Sequence, residues 1–571
     1  MAEISSPRRS STPSAIPTKR PLGLEDEQHT PAVPSPLNPD SASSRARRPP
    51  APREQREKKE SLKKREAKGV DSGRGATPES QSHGRKSKKT ADTTSILSPI
   101  RYKLPPPTLN DFEPPKAPVF TPVLSRGNTQ FYESSEHVYN RKGFRYTHCV
   151  ADPTFLSSQY HRQSETEPYG PRVNFEDSSS HILFDQPGRS ITTEKGFRMA
   201  RANVGVREGK WYWECKILSG IKAPNQGTAS GGSQEPGGHV RIGWARREAS
   251  LDTPVGFDAY SYGLRDVAGQ KIHMSRPKDF MSQGDELREG DVIGLEIDLP
   301  SLALHRKVVE GSYNKAVDTA DGLDEQHGIE VSDTIRDRVP IRYKAQLYFE
   351  QFEYHSTKEL EELMNPSPVI SNNAAASTSA PGPNHPLVPL RTLPFSCIKV
   401  YKNGRYVGTP FTDLLSFLPP ASKPLTQPQA REGLDDGMLG YFPAVSVFRG
   451  GAAEVNFGPD FWFPPSGQTA DGDVDMVGDN DTTASRSAKK PRAVGERYNE
   501  QIAEDIVYDL VDEVDFWTQD GGLSDAQKGL HSHATTTTGV VDPEASGLEA
   551  AAQNMGGGQA GEIKEVVQEE E

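Results

Sequence analysis

The sequence predicts an all-β fold, an antiparallel sandwich carrying long segments that cannot join its core. Three stretches argue for it. In 209–217 (GKWYWECKI), Trp211, Trp213, Cys215 and Ile217 alternate with Tyr212, Glu214 and Lys216. That period of two marks a strand with one face toward a core and one toward water. In 240–263, Val240, Ile242 and Trp244 repeat the pattern, and a loop rich in Gly, Pro and aromatics follows. Such a loop on a rigid sheet is suited to recognition. In 396–407 (SCIKVYKNGRYV), Asn403 and Gly404 sit between two β-rich arms. Both residues tolerate positive φ, so the pair reads as a tight hairpin turn.

Composition limits how much of the chain can fold. Of 571 residues only 33% are hydrophobic, against 50 Gly and 48 Pro, too few apolar side chains for one compact fold of this length. Core-forming residues concentrate between about 119 and 465. The net charge of −12 conceals an asymmetry, with a basic N-terminal part and an acidic C-terminal part. Three widely spaced cysteines, Cys149, Cys215 and Cys397, exclude a disulfide framework or a Cys-rich zinc module and fit a reducing compartment. No apolar run approaches the roughly 20 residues of a membrane span, and no apolar signal-peptide core opens the chain. No membrane partner is expected.

Residues 1–117 read as a disordered arm, basic at first and Pro-rich over 105–122. The stretch 53–68 suits a charged helix without an apolar stripe. The clusters 45–48 (RARR) and 85–89 (RKSKK) suit nuclear import, contact with nucleosome or DNA, or both. Residues 118–189 read as a lead-in packing on the sandwich, with short apolar runs in 131–155 and 173–184. The sandwich proper is expected over 190–465, with further strands at 292–299, 345–354, 396–407, 441–448 and 453–457. Segments near 220–238, 306–338 and 365–389 read as inserted loops. Residues 466–495 then read as an acidic linker and 518–571 as a disordered tail.

Between those two, 496–517 (ERYNEQIAEDIVYDLVDEVDFW) reads as a separate helix. Ile502, Ile506, Leu510 and Val514 stand four apart, with Ala503, Val507 and Val511 alongside. An isolated helix of this length is marginal in water. Beyond a linker its stripe has no core segment to cover it, so a partner groove is expected, with packing back on the sandwich as the alternative. The other face is acidic (Glu504, Asp505, Asp509, Asp512, Glu513, Asp515), which would be repelled by anionic lipid. Substitution on that face is expected to be tolerated.

Eight stretches carry a resemblance: EKGFRMARANVGVREGKWYWE, VRIGWARREASLDTPVGFDAYSYGLRD, GQKIHMS, QGDELREGDVIGLEIDLP, QLYFEQ, VYKNGRYVG, YFPAVSVF and VNFGPDFWFPP. In that order over 190–465 they resemble the SPRY domain, and most closely the Ash-two/Bre-two family of SPRY subunits in COMPASS/MLL-type histone methyltransferase complexes. The resemblance implies a peptide-binding SPRY-type β-sandwich in the nucleus. It implies a non-catalytic scaffold joining a WD-repeat subunit, a SET-domain methyltransferase and a Dpy-thirty-type dimeric subunit, in a complex that methylates the position-four lysine of histone H-three. It further implies a pocket for an acidic segment of the WD-repeat subunit, mapping to Phe197, Arg241, Pro254, Phe257 and Arg265. The arginines would hold carboxylates, and the other three would form apolar walls. Phe197 and Phe257 stand where the family has tyrosines, and Val267 where it has a lysine, so this pocket has fewer donors and one charge less. Finally, the helix would insert between two copies of the Dpy-thirty-type subunit through Ile502, Ile506, Val507, Leu510 and Val514.

Arg246 and Arg247 are candidates for further charge on the pocket rim, and Trp211, Trp213 and Trp244 for core packing. No two of the 14 His have metal-ligand spacing, so no metal site is expected; His239 and His273 read as structural or exposed. No nucleophile elbow, P-loop, HExxH, dinucleotide or S-adenosylmethionine signature is present. The Gly-rich stretch 227–238 has no βαβ context and reads as a loop. Neither catalysis nor a cofactor is expected of this chain. A second reading, an SPRY substrate receptor for a ubiquitin ligase, requires a ligase-recruiting box or a RING, and three cysteines cannot build a RING.

Overall fold

The computed structural model describes residues 99–100, 102, 107–135, 143–152, 161–222, 238–282, 284–320, 334–343, 345–365, 380–424, 430–465 and 490–519. The basic clusters, the 53–68 stretch, most of the Gly-rich segment, residues 466–489 and the tail from 520 lie outside these.

Two sheets form the sandwich. The first has ten strands, running Phe120–Arg126, Thr129–Ser134, Leu183–Phe184, Ser190–Thr192, Ala452–Asn456, Gly209–Ser219, Val292–Leu299, Cys397–Lys402 and Arg405–Thr412, with Arg492–Ala493 added in parallel to Gly209–Ser219. The second has seven: Arg276–Lys278, Lys271–His273, Ser261–Arg265, His239–Ala245, Phe442–Phe448, Arg198–Ala202 and Val173–Ser178. Apart from Arg492–Ala493, every pairing in the two sheets is antiparallel. Their inner faces meet at Trp213 and Trp244, whose rings cross edge-to-face at 6.2 Å in the middle of the apolar core. The Asn403 and Gly404 turn has φ of 50° and 80°, and Tyr401 and Lys402 pair with Tyr406 and Arg405 across it.

Several expectations need correction. The segment before residue 190 supplies strands to both sheets, and Phe144–Ala151 and His161–Gln163 join Val339–Tyr343 and Gln346–Phe352 in a third, four-stranded sheet. The arm is held near its end, where Arg342 bridges to Asp111 in the Leu109–Phe112 turn. The 306–338 segment is not merely a loop. Helix α1 (Leu302–Glu310) buries Leu304, His305, Val308 and Val309, and Arg336 and Arg338 are themselves buried. A second helix, α2 (Lys358–Met364), precedes the 365–389 segment, and Val388–Leu390 closes that segment with a 3-10 turn. The outer face of the Gly209–Ser219 strand is covered at Tyr212 and Glu214, leaving Lys210 and Lys216 at its two ends partly exposed. Glu214 is fully buried and accepts the Trp462 and Phe463 N–H groups at 2.7 and 2.9 Å, while Tyr212 packs against Phe461.

The last element, helix α3 (Glu496–Gln519), does not stand apart. It is led in by Arg492–Ala493, and Gly495 N–H donates to Phe457 O at 2.7 Å.

Candidate partner-binding site

The first surface lies on the outer face of the second sheet. Ser446, Arg241 and Arg265 are register partners on three neighbouring strands. Their neighbours Val445, Ile242 and Leu264 point into the core. Alternation therefore puts both arginines on the side away from the core. Loop 246–260 folds over part of this face. Met199 N–H donates to Leu251 O and Val255 N–H to Ser446 Oγ, at 2.8 and 3.0 Å. Asp258 fixes the loop by accepting the Ser250 and Tyr260 N–H groups and the Ser261 hydroxyl. A Cβ at Gly263 would stand 2.9 Å from Val255 O, so a glycine is what admits the loop there.

The loop leaves Pro254 half-buried and Phe257 42% exposed at the edge of the face. Phe197 is joined to Arg241 directly, the guanidinium carbon lying 4.6 Å from its ring centre. Phe197 packs in turn on Phe448 at 4.8 Å. Among the described residues neither Arg241 nor Arg265 has a carboxylate at ion-pair distance. Burial and the facing Arg265 lower the Arg241 pKa to about 10, against a weaker opposing pull from Asp266. Asp266 is occupied elsewhere, with His239 Nδ1 at 3.0 Å and the Val240 N–H at 3.1 Å. Two neighbouring guanidiniums with no carboxylate at ion-pair distance among the described residues leave positive potential on this face. Arg246 and Arg247 do not belong to this rim. Arg246 is buried against Glu248, Ser416 O and Ser422, and Arg247 against Asp177.

The second surface is α3. Ile502, Ile506, Val507, Leu510, Val511, Val514 and Trp517 are all exposed, Leu510 by 50%. The acidic face, expected to be free, is the face that docks. Arg336 reaches Asp509 at 2.6 Å, Asp512 at 3.4 Å and Asp505 at 3.5 Å. Arg338 bridges to Asp509 as well and lies 4.1 Å over the Phe349 ring. Asp509 and Asp512 are buried, so Asp512 is not a tolerant surface position. Burial raises the Asp505 and Asp512 carboxyls to about 6, against the lowering pull of the two arginines. Sequence reasoning missed Arg336 and Arg338. The available signal was the spacing of Asp505, Asp509 and Asp512, which puts three carboxylates on one helical side.

Among the described residues no group of three or more His, Cys, Asp or Glu could hold a metal ion, and no helix is long and apolar enough to cross a membrane. What the fold offers is a β-sandwich with a cationic outer face and an exposed apolar helical stripe. No protein-family model matches the chain. Curated relatives do. The COMPASS component cclA of Colletotrichum higginsianum is 58% identical over 89% of this chain and 90% of its own length. The cclA protein of Aspergillus oryzae is 38% identical over 88% of this chain and 80% of its own. The Set1 complex component ash2 of Schizosaccharomyces pombe is 42% identical over 73% and 52%. The chain belongs to this family of COMPASS components.

Proposed function

We propose that this chain is a non-catalytic scaffold and activating subunit of a nuclear SET-domain methyltransferase complex acting on the position-four lysine of histone H-three. The cationic shelf binds an acidic segment of the WD-repeat subunit, and the α3 stripe binds a Dpy-thirty-type dimer. The basic N-terminal arm adds nuclear import, affinity for nucleosome or DNA, or both. The observation that carries the reading is the Arg241 and Arg265 pair, aligned by strand register and without a carboxylate partner among the described residues, in a chain 58% identical to a COMPASS component. Guanidinium groups pair with carboxylates through fixed forks of donors. Affinity purification of the full chain with identification of bound subunits tests the proposal. Recovery of the WD-repeat, SET-domain and Dpy-thirty-type subunits is expected. Their absence from the purified material overturns it.

A further inference from the structure

We infer that the acidic-peptide site runs past the Arg241 and Arg265 pair, across Phe197 and Phe448, to Arg449, which serves as a second carboxylate anchor. This rests on the peptide-binding role proposed for that face and adds where the far end of the peptide lies. Phe448 ends the strand that carries Ser446, and its register partner is His239, two residues before Arg241. Alternation puts Phe448 on the same outer face as Ser446, Arg241 and His239. An unbroken chain of contacts then crosses that face. The Arg241 guanidinium carbon lies 4.6 Å from the Phe197 ring centre, the Phe197 and Phe448 rings are 4.8 Å apart, and the Arg449 guanidinium carbon is 5.2 Å from the Phe448 ring. Phe197 and Phe448 are both half-buried, so each keeps part of its surface open.

Arg449 projects from a turn whose backbone is fixed. Its N–H donates to Lys195 O at 2.9 Å, and the Gly450 N–H donates to Thr193 O at 2.7 Å. These bonds hold Arg449 at φ 41°, a conformation glycine would adopt with less strain. The residue is exposed, and among the described residues no carboxylate stands at ion-pair distance from it. Glu194, beside Lys195, bridges to Arg126 instead. The three contact distances keep the Arg241 and Arg449 guanidiniums within about 15 Å of each other. Four or five residues of extended chain, at about 3.3 Å each, cover that span. Positive charge at both ends with aromatic rings between complements a peptide that carries carboxylates at two ends and an apolar side chain between them. A duplex backbone presents charge along its whole length and offers those rings little apolar surface.

The test uses the full chain and a synthetic peptide of the WD-repeat subunit's acidic segment, with each carboxylate changed in turn to its amide, followed by fluorescence anisotropy. Arg449→Gln should weaken the unaltered peptide about threefold to fivefold, the scale of a solvent-exposed ion pair. Against the peptide lacking the carboxylate that Arg449 holds, the variant should show no further loss. That position should lie four or five residues from the one coupled in the same way to Arg265→Gln. Should Arg449→Gln disturb folding, the scan against the unaltered chain reads the same geometry, as two sensitive positions four or five residues apart rather than one cluster. If Arg449→Gln binds every peptide as the unaltered chain does, or loses the same factor against all of them, while Arg241→Glu loses affinity, the extension fails and the peptide-binding role stands. If Arg449→Gln weakens binding of a DNA duplex and not of the peptide, Arg449 belongs to a nucleic-acid contact and the extension fails. If Arg241→Glu and Arg265→Glu bind the peptide normally, both fail.

Discussion

Arg241 and Arg265 face each other across adjacent antiparallel strands, and burial, joined by the second guanidinium, pulls the Arg241 pKa down to about 10. Like charges held this close in a half-buried site are costly until an anion joins them. Stacking of Arg241 on Phe197 at 4.6 Å holds one of the two guanidiniums in place.

An acidic peptide from the WD-repeat subunit should therefore bind this shelf, and Arg241→Glu or Arg265→Glu should each cost about 1.5–3 kcal/mol, the range for a charge-assisted hydrogen bond. Because the contact is partly exposed, raising salt should weaken it in the unaltered chain. Titration calorimetry checks this. Equal affinity for both variants and the parent sinks the site.

Asp512→Lys should detach α3. The new ammonium would stand beside Arg336 and Arg338, whose buried guanidiniums now share Asp509 and Asp512. Breaking a buried pair costs about 3–5 kcal/mol because a charge is left uncompensated. Limited proteolysis should cut within 496–519 in the variant and spare the parent, with the sandwich melt nearly unchanged. A protected helix in the variant would contradict the docking geometry.

Glu214→Ala should loosen the cover over the Gly209–Ser219 strand. Glu214 accepts two backbone N–H groups from Trp462 and Phe463, and the Tyr212 hydroxyl lies 3.2 Å from it. Each orphaned buried donor costs about 1–3 kcal/mol, so a fall in Tm of several degrees is expected. A differential scanning calorimetry trace that superposes on that of the parent would show that the 461–463 segment contributes little.

These results show which parts of the fold local sequence can specify. The alternation of Trp211, Trp213, Cys215 and Ile217 marks a strand because each side chain's face depends only on its own position. That Glu214 on the other face is dry depends on Trp462 and Phe463, far along the chain, and no local period carries that information. The α3 stripe is legible for the same reason as the strand. Its opposite face is not, because the cations that bury Asp509 come from Arg336 and Arg338, in a segment whose charge suggests a solvated loop. Likewise Arg246 and Arg247 look like rim charges in sequence, whereas Glu248 and Asp177 hold them inside.

His305 should make the sandwich acid-sensitive. It lies buried on α1, and its Nε2 accepts the N–H groups of Phe417 and Leu418 at 3.1 and 3.3 Å. That network assigns the ring proton to Nδ1. Protonating Nε2 would aim a third N–H at two donors. Burial first, then the cations Arg207, Arg246 and Arg306, push its pKa well below the usual histidine value. A base with a depressed folded-state pKa leaves the unfolded chain binding more protons as pH drops. Stability is then complete above about 6.5 and declines by roughly 1.4 kcal/mol per pH unit below it, until the folded-state pKa is reached. His273, stacked on Tyr262 and lowered to about 4 mainly by burial, works in the same direction. In His305→Gln a neutral amide oxygen can accept the two N–H groups without titrating. Urea unfolding midpoints at pH 5 and pH 7.5 should therefore differ less in the variant than in the parent, the remainder coming from His273 and, with opposite sign, from Asp505 and Asp512, whose raised carboxyls gain stability as pH falls. Equal pH dependence in the two proteins would mean that His305 does not drive the acid loss.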